Sequence, residues 1–133
     1  MRYLLDTNTW IIYLKQVETK VRERLEQTPP AEVAVCSVVW AELLHGAKKY
    51  GNPLEREARI KTVLAPFANL PFDLGAAHHY AHIRDHLERA GQIIGGNDLL
   101  IAAIALEHGL TVVTHNCDEF RRVPGLLVED WEG

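Results

Sequence analysis

At 133 residues the chain has the length of one domain, enough to bury a packed core without staples. Apolar residues make up 47% and charged residues 24%, and a net charge of −4 excludes a broad basic field for gripping nucleic acid. An RNA or DNA partner would need a local cationic patch or a bound metal.

In chain order, residues 2–5 (RYLL) read as a short strand, and Thr7 or Asn8 caps a helix through Lys15, with Trp10, Tyr13, Leu14 and Val17 at helical spacing. A second helix, about 18–27, stops before Pro29-Pro30. VAVC (33–36) is a continuous apolar run, as in a parallel strand buried on both faces. Ser37 caps a helix reaching about Tyr50, closed by Gly51 and Pro53, and a further helix runs from Leu54 to about Leu64. NLPFD (69–73) is a short strand or link, and Gly75 leads into a helix to about Ala90 that Gly91 ends. GQIIGGN (91–97) is a loop, Asn97 caps a helix over 98–108, LTVVT (110–114) is a strand and LLVED (126–130) the last one. Strands alternating with helices predict one α/β domain over 1–133, a parallel sheet sandwiched by helices. The longest apolar run, LLIAAIAL at 99–106, is far short of the roughly 20 residues of a membrane span. With no secretory leader visible, and with two isolated cysteines (Cys36 and Cys117) that fit free thiols, the expected location is the cytoplasm.

Ligands of parallel sheets bind beyond the carboxyl ends of the strands. Asp6 closes the first strand, Glu42 follows the second by less than two helical turns, Asp98 opens a helix, and Thr114, Asn116, Asp118 and Glu119 follow the LTVVT strand. Four segments thus deliver oxygen ligands to one edge. Each acid alone has a plain structural reading, for instance Asp98 as a carboxylate favoured at a helix N-terminus. Together they would repel one another at a cost of several kcal/mol unless a cation intervened, each unit of pKa shift being about 1.4 kcal/mol. All-oxygen ligands suit Mg²⁺ or Mn²⁺ rather than zinc, and the chemistry such a centre serves is phosphodiester hydrolysis.

LLDTN at 4–8, SVVWAELLHGA at 37–47, IGGNDLLIAA at 94–103 and VVTHNCDEFRRVPGL at 112–126 resemble, in order, the successive blocks of the PIN-domain ribonucleases, specifically the VapC-type toxins of toxin–antitoxin pairs. The resemblance spans nearly the whole chain. It implies a PIN-like fold, metal-dependent endonucleolytic cleavage of structured RNA (transfer RNA foremost), a homodimer, and silencing by a VapB-type antitoxin. Asp6, Glu42 and Asp98 occupy the first three acidic positions of the family's quartet, with Asp6 and Asp98 as metal ligands and Glu42 as ligand or orienter of the attacking water. At the fourth position this chain carries Asn116, which has no charge to offer a second metal; Glu119, ahead of Asp118, is the nearest carboxylate to supply it. Thr114 and Asn8 are expected as supporting hydrogen-bond groups. Three other readings compete. An aspartyl-phosphate phosphatase would need an acid where Asn8 stands; a non-catalytic PIN-fold binding module and a DNA-directed nuclease stay open.

His78, His82 and His86 share one side of a helix, a possible metal stripe, but Ala76, Tyr80, Ile83 and Leu87 form the apolar side, so the histidines are expected in solvent. Lys48, Lys49, Arg84, Arg121 and Arg122 are cationic candidates for phosphate if they flank the acidic edge. Trp10, Tyr13 and Leu14 read as core, although by the resemblance part of the early-helix surface is covered by the antitoxin. Cys117 reads as a free thiol.

Overall fold

In the computed structural model, which describes all 133 residues, the apolar runs become strands of one parallel sheet. These are β1 (Tyr3–Leu5), β2 (Val33–Cys36), β3 (Ala68–Leu70), β4 (Thr111–Val113) and β5 (Leu127–Glu129), in the order β3-β2-β1-β4-β5. Every residue of β1, β2 and β4 is buried, as expected of strands covered by helices on both faces. The chain winds outward from β1 to β3, then returns to place β4 on the other side of β1. The topological switch point, where ligands bind in open parallel sheets, therefore lies at the carboxyl ends of β1 and β4.

The covering helices are α1 (Thr7–Leu14), α2 (Lys20–Gln27), α3 (Ser37–Lys48), α4 (Pro53–Leu64), α5 (Leu74–Ala90), α6 (Gly96–His108) and a single turn, α7 (Cys117–Phe120). Trp10 is wholly buried against Phe67 and Tyr13, its ring centroid 5.1 Å from that of Phe67. Tyr13 and Leu14 are half-buried and pack on the core. α6 is buried nearly all round at Leu99 and Ile101–Ala105, and it forms an antiparallel hairpin with α5. Gly91 closes α5 in the left-handed region at φ 67°, which a residue without Cβ enters freely.

Several boundaries differ from the sequence reading, each for a local reason. α1 is capped by Asp6, whose extended backbone lets its carboxylate accept the Thr9 N–H at 3.0 Å, and not by Thr7 or Asn8. Ser37 and Asn97 are likewise inside their helices: Cys36 and Gly95 hold the cap positions without side-chain bonds, and Ser37 Oγ instead accepts from Asn69 Nδ2 at 3.0 Å. Pro53 starts α4 rather than merely stopping α3, because its missing N–H costs nothing in a first turn. β3 begins at Ala68 and ends before Pro71, which cannot donate to a ladder. His78, His82 and His86 are exposed, while Ala76, Ile83 and Leu87 are buried. No helix is long and apolar enough to cross a membrane.

Candidate active site

Asp6 is 5% exposed at the end of β1, and both its oxygens are occupied. Oδ1 accepts from the Thr9 N–H and from Thr9 Oγ1 at 2.7 Å, and Oδ2 accepts from Thr114 Oγ1 at 2.6 Å. Thr114, at the end of β4, spends its proton on Asp6 and accepts the Asn116 N–H at 2.9 Å. A relay of Asn116, Thr114 and Asp6 therefore ties the β4–α7 turn to β1. Glu42 projects from the second turn of α3 and accepts from Thr7 Oγ1 at 2.6 Å, so α1 orients acids at both its first and its capping position.

The other side of the cleft is built by α6 and α7. Asp98 lies in the first turn of α6, where the helix dipole favours a carboxylate. Its pKa is nevertheless pushed up to about 6, first by burial and then by the charges of Glu119, Asp6 and Glu42, against a lowering hydrogen bond from Asn116. The charges of all three other acids thus reach Asp98. Glu119, half-buried on α7, accepts from the Gly95 N–H and from Asn116 Nδ2. A Cβ on Gly95 would stand 3.3 Å from Glu119 Oε1 and 3.5 Å from Asp98 Oδ2, so glycine lets the backbone approach both carboxylates.

No arginine or lysine answers this charge. The seven ion pairs of the chain all lie elsewhere, and two carboxylate–histidine groups, Asp73–Glu107–His108 and His115–Asp130–Glu132, are tighter than the acidic centre. Thr7 holds Glu42, and Asn116 and Gly95 hold Glu119, by hydrogen bonds at the rim. All donors are oxygens, with a net charge that only a cation offsets, and this set fits a divalent ion of the Mg²⁺ or Mn²⁺ kind.

Of the remaining residues, Asp118 and Asn8 face solvent. Lys48, Lys49 and Arg121 are exposed without ion pairs, Arg122 donates to the Ile93 carbonyl at 3.1 Å, and Arg84 is engaged by Tyr80 and Glu88. Cys36 and Cys117 are free thiols; burial pushes Cys36 up to about 11, and Cys117 Sγ donates to the Thr114 carbonyl. Beside Glu42 a groove of about 490 Å³ runs between α1, α3 and α4, lined by Ile11, Leu14, Leu43, Tyr50, Arg59 and Ile60. Reading the sequence missed Thr7, Thr9 and Gly95. The Asp6-x-x-Thr9 spacing, that of a helix cap and its partner, is the signal that reveals Thr9.

The PIN domain family matches residues 3–126. The chain belongs to the PIN-domain family. Over 131 residues it is 36% identical to the tRNA(fMet)-specific endonuclease VapC of Salmonella typhimurium LT2, covering 98% of each chain. To ribonuclease VapC2 of Rickettsia felis it is 33% identical over 133 residues, 99% of each. It superposes on a chain of the DNA-bound VapBC complex from Salmonella typhimurium with a TM-score of 0.92, at 36% identity over 98% of both chains. On VapBC-1 from nontypeable Haemophilus influenzae the TM-score is 0.89, at 31% identity over the whole of both. These relatives place it in the VapC branch of the family. Within that fold, Asn116, just after β4, donates through Nδ2 to Glu119 one helical turn on.

Proposed function

We propose that this chain is a VapC-type toxin, a metal-dependent endoribonuclease that hydrolyses a phosphodiester bond in structured RNA, with transfer RNA the foremost substrate class. The observation that carries the reading is that Asp6, Glu42, Asp98 and Glu119 come from four segments to one cleft with no ion pair to any of them. Asp6 and Asp98 hold the ion, with Glu42 as a third ligand or as the group that orients water. When bound, Mg²⁺ or Mn²⁺ supplies the Lewis acidity that makes water nucleophilic near neutral pH and offsets charge on the phosphate. The chain's own contribution is alignment: three donors fix Asp6, Thr7 turns Glu42 inward, and Asn116 spaces Asp98 from Glu119. With one amide among its corners, the centre suits a single firmly held ion. The naming of the Salmonella relative for tRNA(fMet) and the VapBC complexes of the structural neighbours support the RNA substrate and a VapB-type antitoxin. A homodimer acting in the cytoplasm completes the proposal.

The test is cleavage of total RNA, and of single-stranded DNA as a control, by purified antitoxin-free protein. Discrete RNA products that require Mg²⁺ or Mn²⁺, vanish with chelator, and fall more than about a hundredfold in Asp98→Asn are expected, a larger loss than removing an outer-shell partner gives. Intact RNA from folded protein in both metals would leave the binding-module reading, and cut DNA beside intact RNA would point to a DNA nuclease.

A further inference from the structure

The far end of α6 carries a second group of ligands. One carboxylate oxygen each from Asp73 and Glu107 and an imidazole nitrogen of His108 lie within 4.8 Å of one another. Glu107 stands nine positions along α6 from Asp98, so the group sits roughly 14 Å from the acidic centre along the helix axis. Asp73 caps α5 by accepting the Ala76 N–H at 2.9 Å through Oδ1, which leaves Oδ2 without a backbone or side-chain donor. Glu107 lies over the start of α5, in a notch that exists because residue 75 is glycine. A Cβ there would fall 1.7 Å from Glu107 Oε1 and 3.1 Å from Oε2. Glu107 Oε2 is closed to solvent and has no hydrogen-bond partner, and no lysine or arginine pairs with either acid. Each carboxyl perturbs the other first of all, with Asp73 lowered and Glu107 raised from the ordinary carboxylate value.

We propose that Asp73, Glu107 and His108 form a second metal site, of the zinc class, that fastens the start of α5 to the end of α6. Two carboxylate oxygens and one imidazole leave the fourth corner of a tetrahedron to water, the open arrangement of three-ligand zinc sites. The imidazole separates this site from the all-oxygen centre by preference: it favours Zn²⁺ over Mg²⁺. The last turn of α6 presents the negative end of its dipole to the ion. The ion offsets the two carboxylates, satisfies the orphaned Oε2, and holds the α5–α6 hairpin at the end opposite Asp98.

A Zn²⁺ titration of the full chain against a chromophoric chelator tests this, in an Asp98→Asn background that weakens binding at the acidic centre, with thermal melts alongside. One Zn²⁺ per chain is expected. Glu107→Gln and His108→Ala should each weaken it at least about tenfold, equal to about 1.4 kcal/mol, and cancel the rise in melting temperature that Zn²⁺ brings. Gly75→Ala removes no ligand and keeps a good helix former, yet fills the notch, and it should weaken Zn²⁺ in the same way. His82→Ala and His115→Ala should leave affinity unchanged. Affinity that survives Glu107→Gln, His108→Ala and Gly75→Ala, or that is lost with His82 or His115, would overturn the proposal.

Discussion

The two walls of the acidic cleft solve the same problem differently. On the β1–β4 wall, Asp6 has three donors on its two oxygens, supplied by Thr9 and Thr114, and its position is set whether or not an ion is bound. On the α6–α7 wall, Glu119 accepts both the Gly95 N–H and Asn116 Nδ2, and Asp98 is left short of compensation. The first wall is a rigid mount. The second is where the electrostatic demand for a cation is stored, and repulsion there is greatest in the absence of the ion.

Disturbing the mount should have the largest effect. Thr114→Val leaves Asp6 Oδ2 and the Asn116 N–H without their partner in a buried place, a loss of about 1–3 kcal/mol by chemical denaturation. RNA cleavage should fall by roughly 10–100-fold, the usual cost of losing a residue that orients a metal ligand. Asn116→Asp attacks the other wall: it exchanges the amide donor for a fifth acid, so the ion-free protein should lose about 1 kcal/mol. The same variant should bind Mn²⁺ more tightly by calorimetry; unchanged affinity would mean that charge at this corner does not reach the ion. Thr7→Val releases Glu42 at a half-buried position, with an expected stability loss below about 1 kcal/mol and a drop in cleavage of about tenfold.

How far the sequence carries the argument depends on the range of the interactions involved. YLL, VAVC and TVV are apolar without interruption because both faces of their sheet are covered, and that property is local enough to read directly. Asp6 is legible for the same reason, since it follows a strand in the chain, whereas Asp98 follows a loop and opens a helix. Caps are not legible, since they depend on the backbone just before the helix. Asp6 caps α1 only because its φ of −76° and ψ of 174° point the carboxylate back at Thr9. α7 is a single turn, too short for any periodicity, yet it is what brings Glu119 into the cleft. Least legible are contacts made by the folded hairpin. Asp73 and Glu107 meet because α5 and α6 run antiparallel, and the glycine at position 75, read as a helix start, is also the space that Glu107 fills.

Thermal unfolding of the native chain and of Asp98→Asn across pH, with and without Mn²⁺, most directly tests whether the α6–α7 wall is a cation site in waiting. The Asp98 carboxyl titrates at about 6 in the folded chain against an ordinary value of 3.8, so folding favours its protonated form. Without metal, the native chain should therefore lose stability relative to Asp98→Asn as pH rises from about 4 through about 6, and hold that deficit above it. Mn²⁺ should close the gap at about pH 8 and do little at about pH 4, where protons have already taken its place. Parallel melting curves for the two proteins at every pH, or an equal response of both to Mn²⁺, would contradict the account.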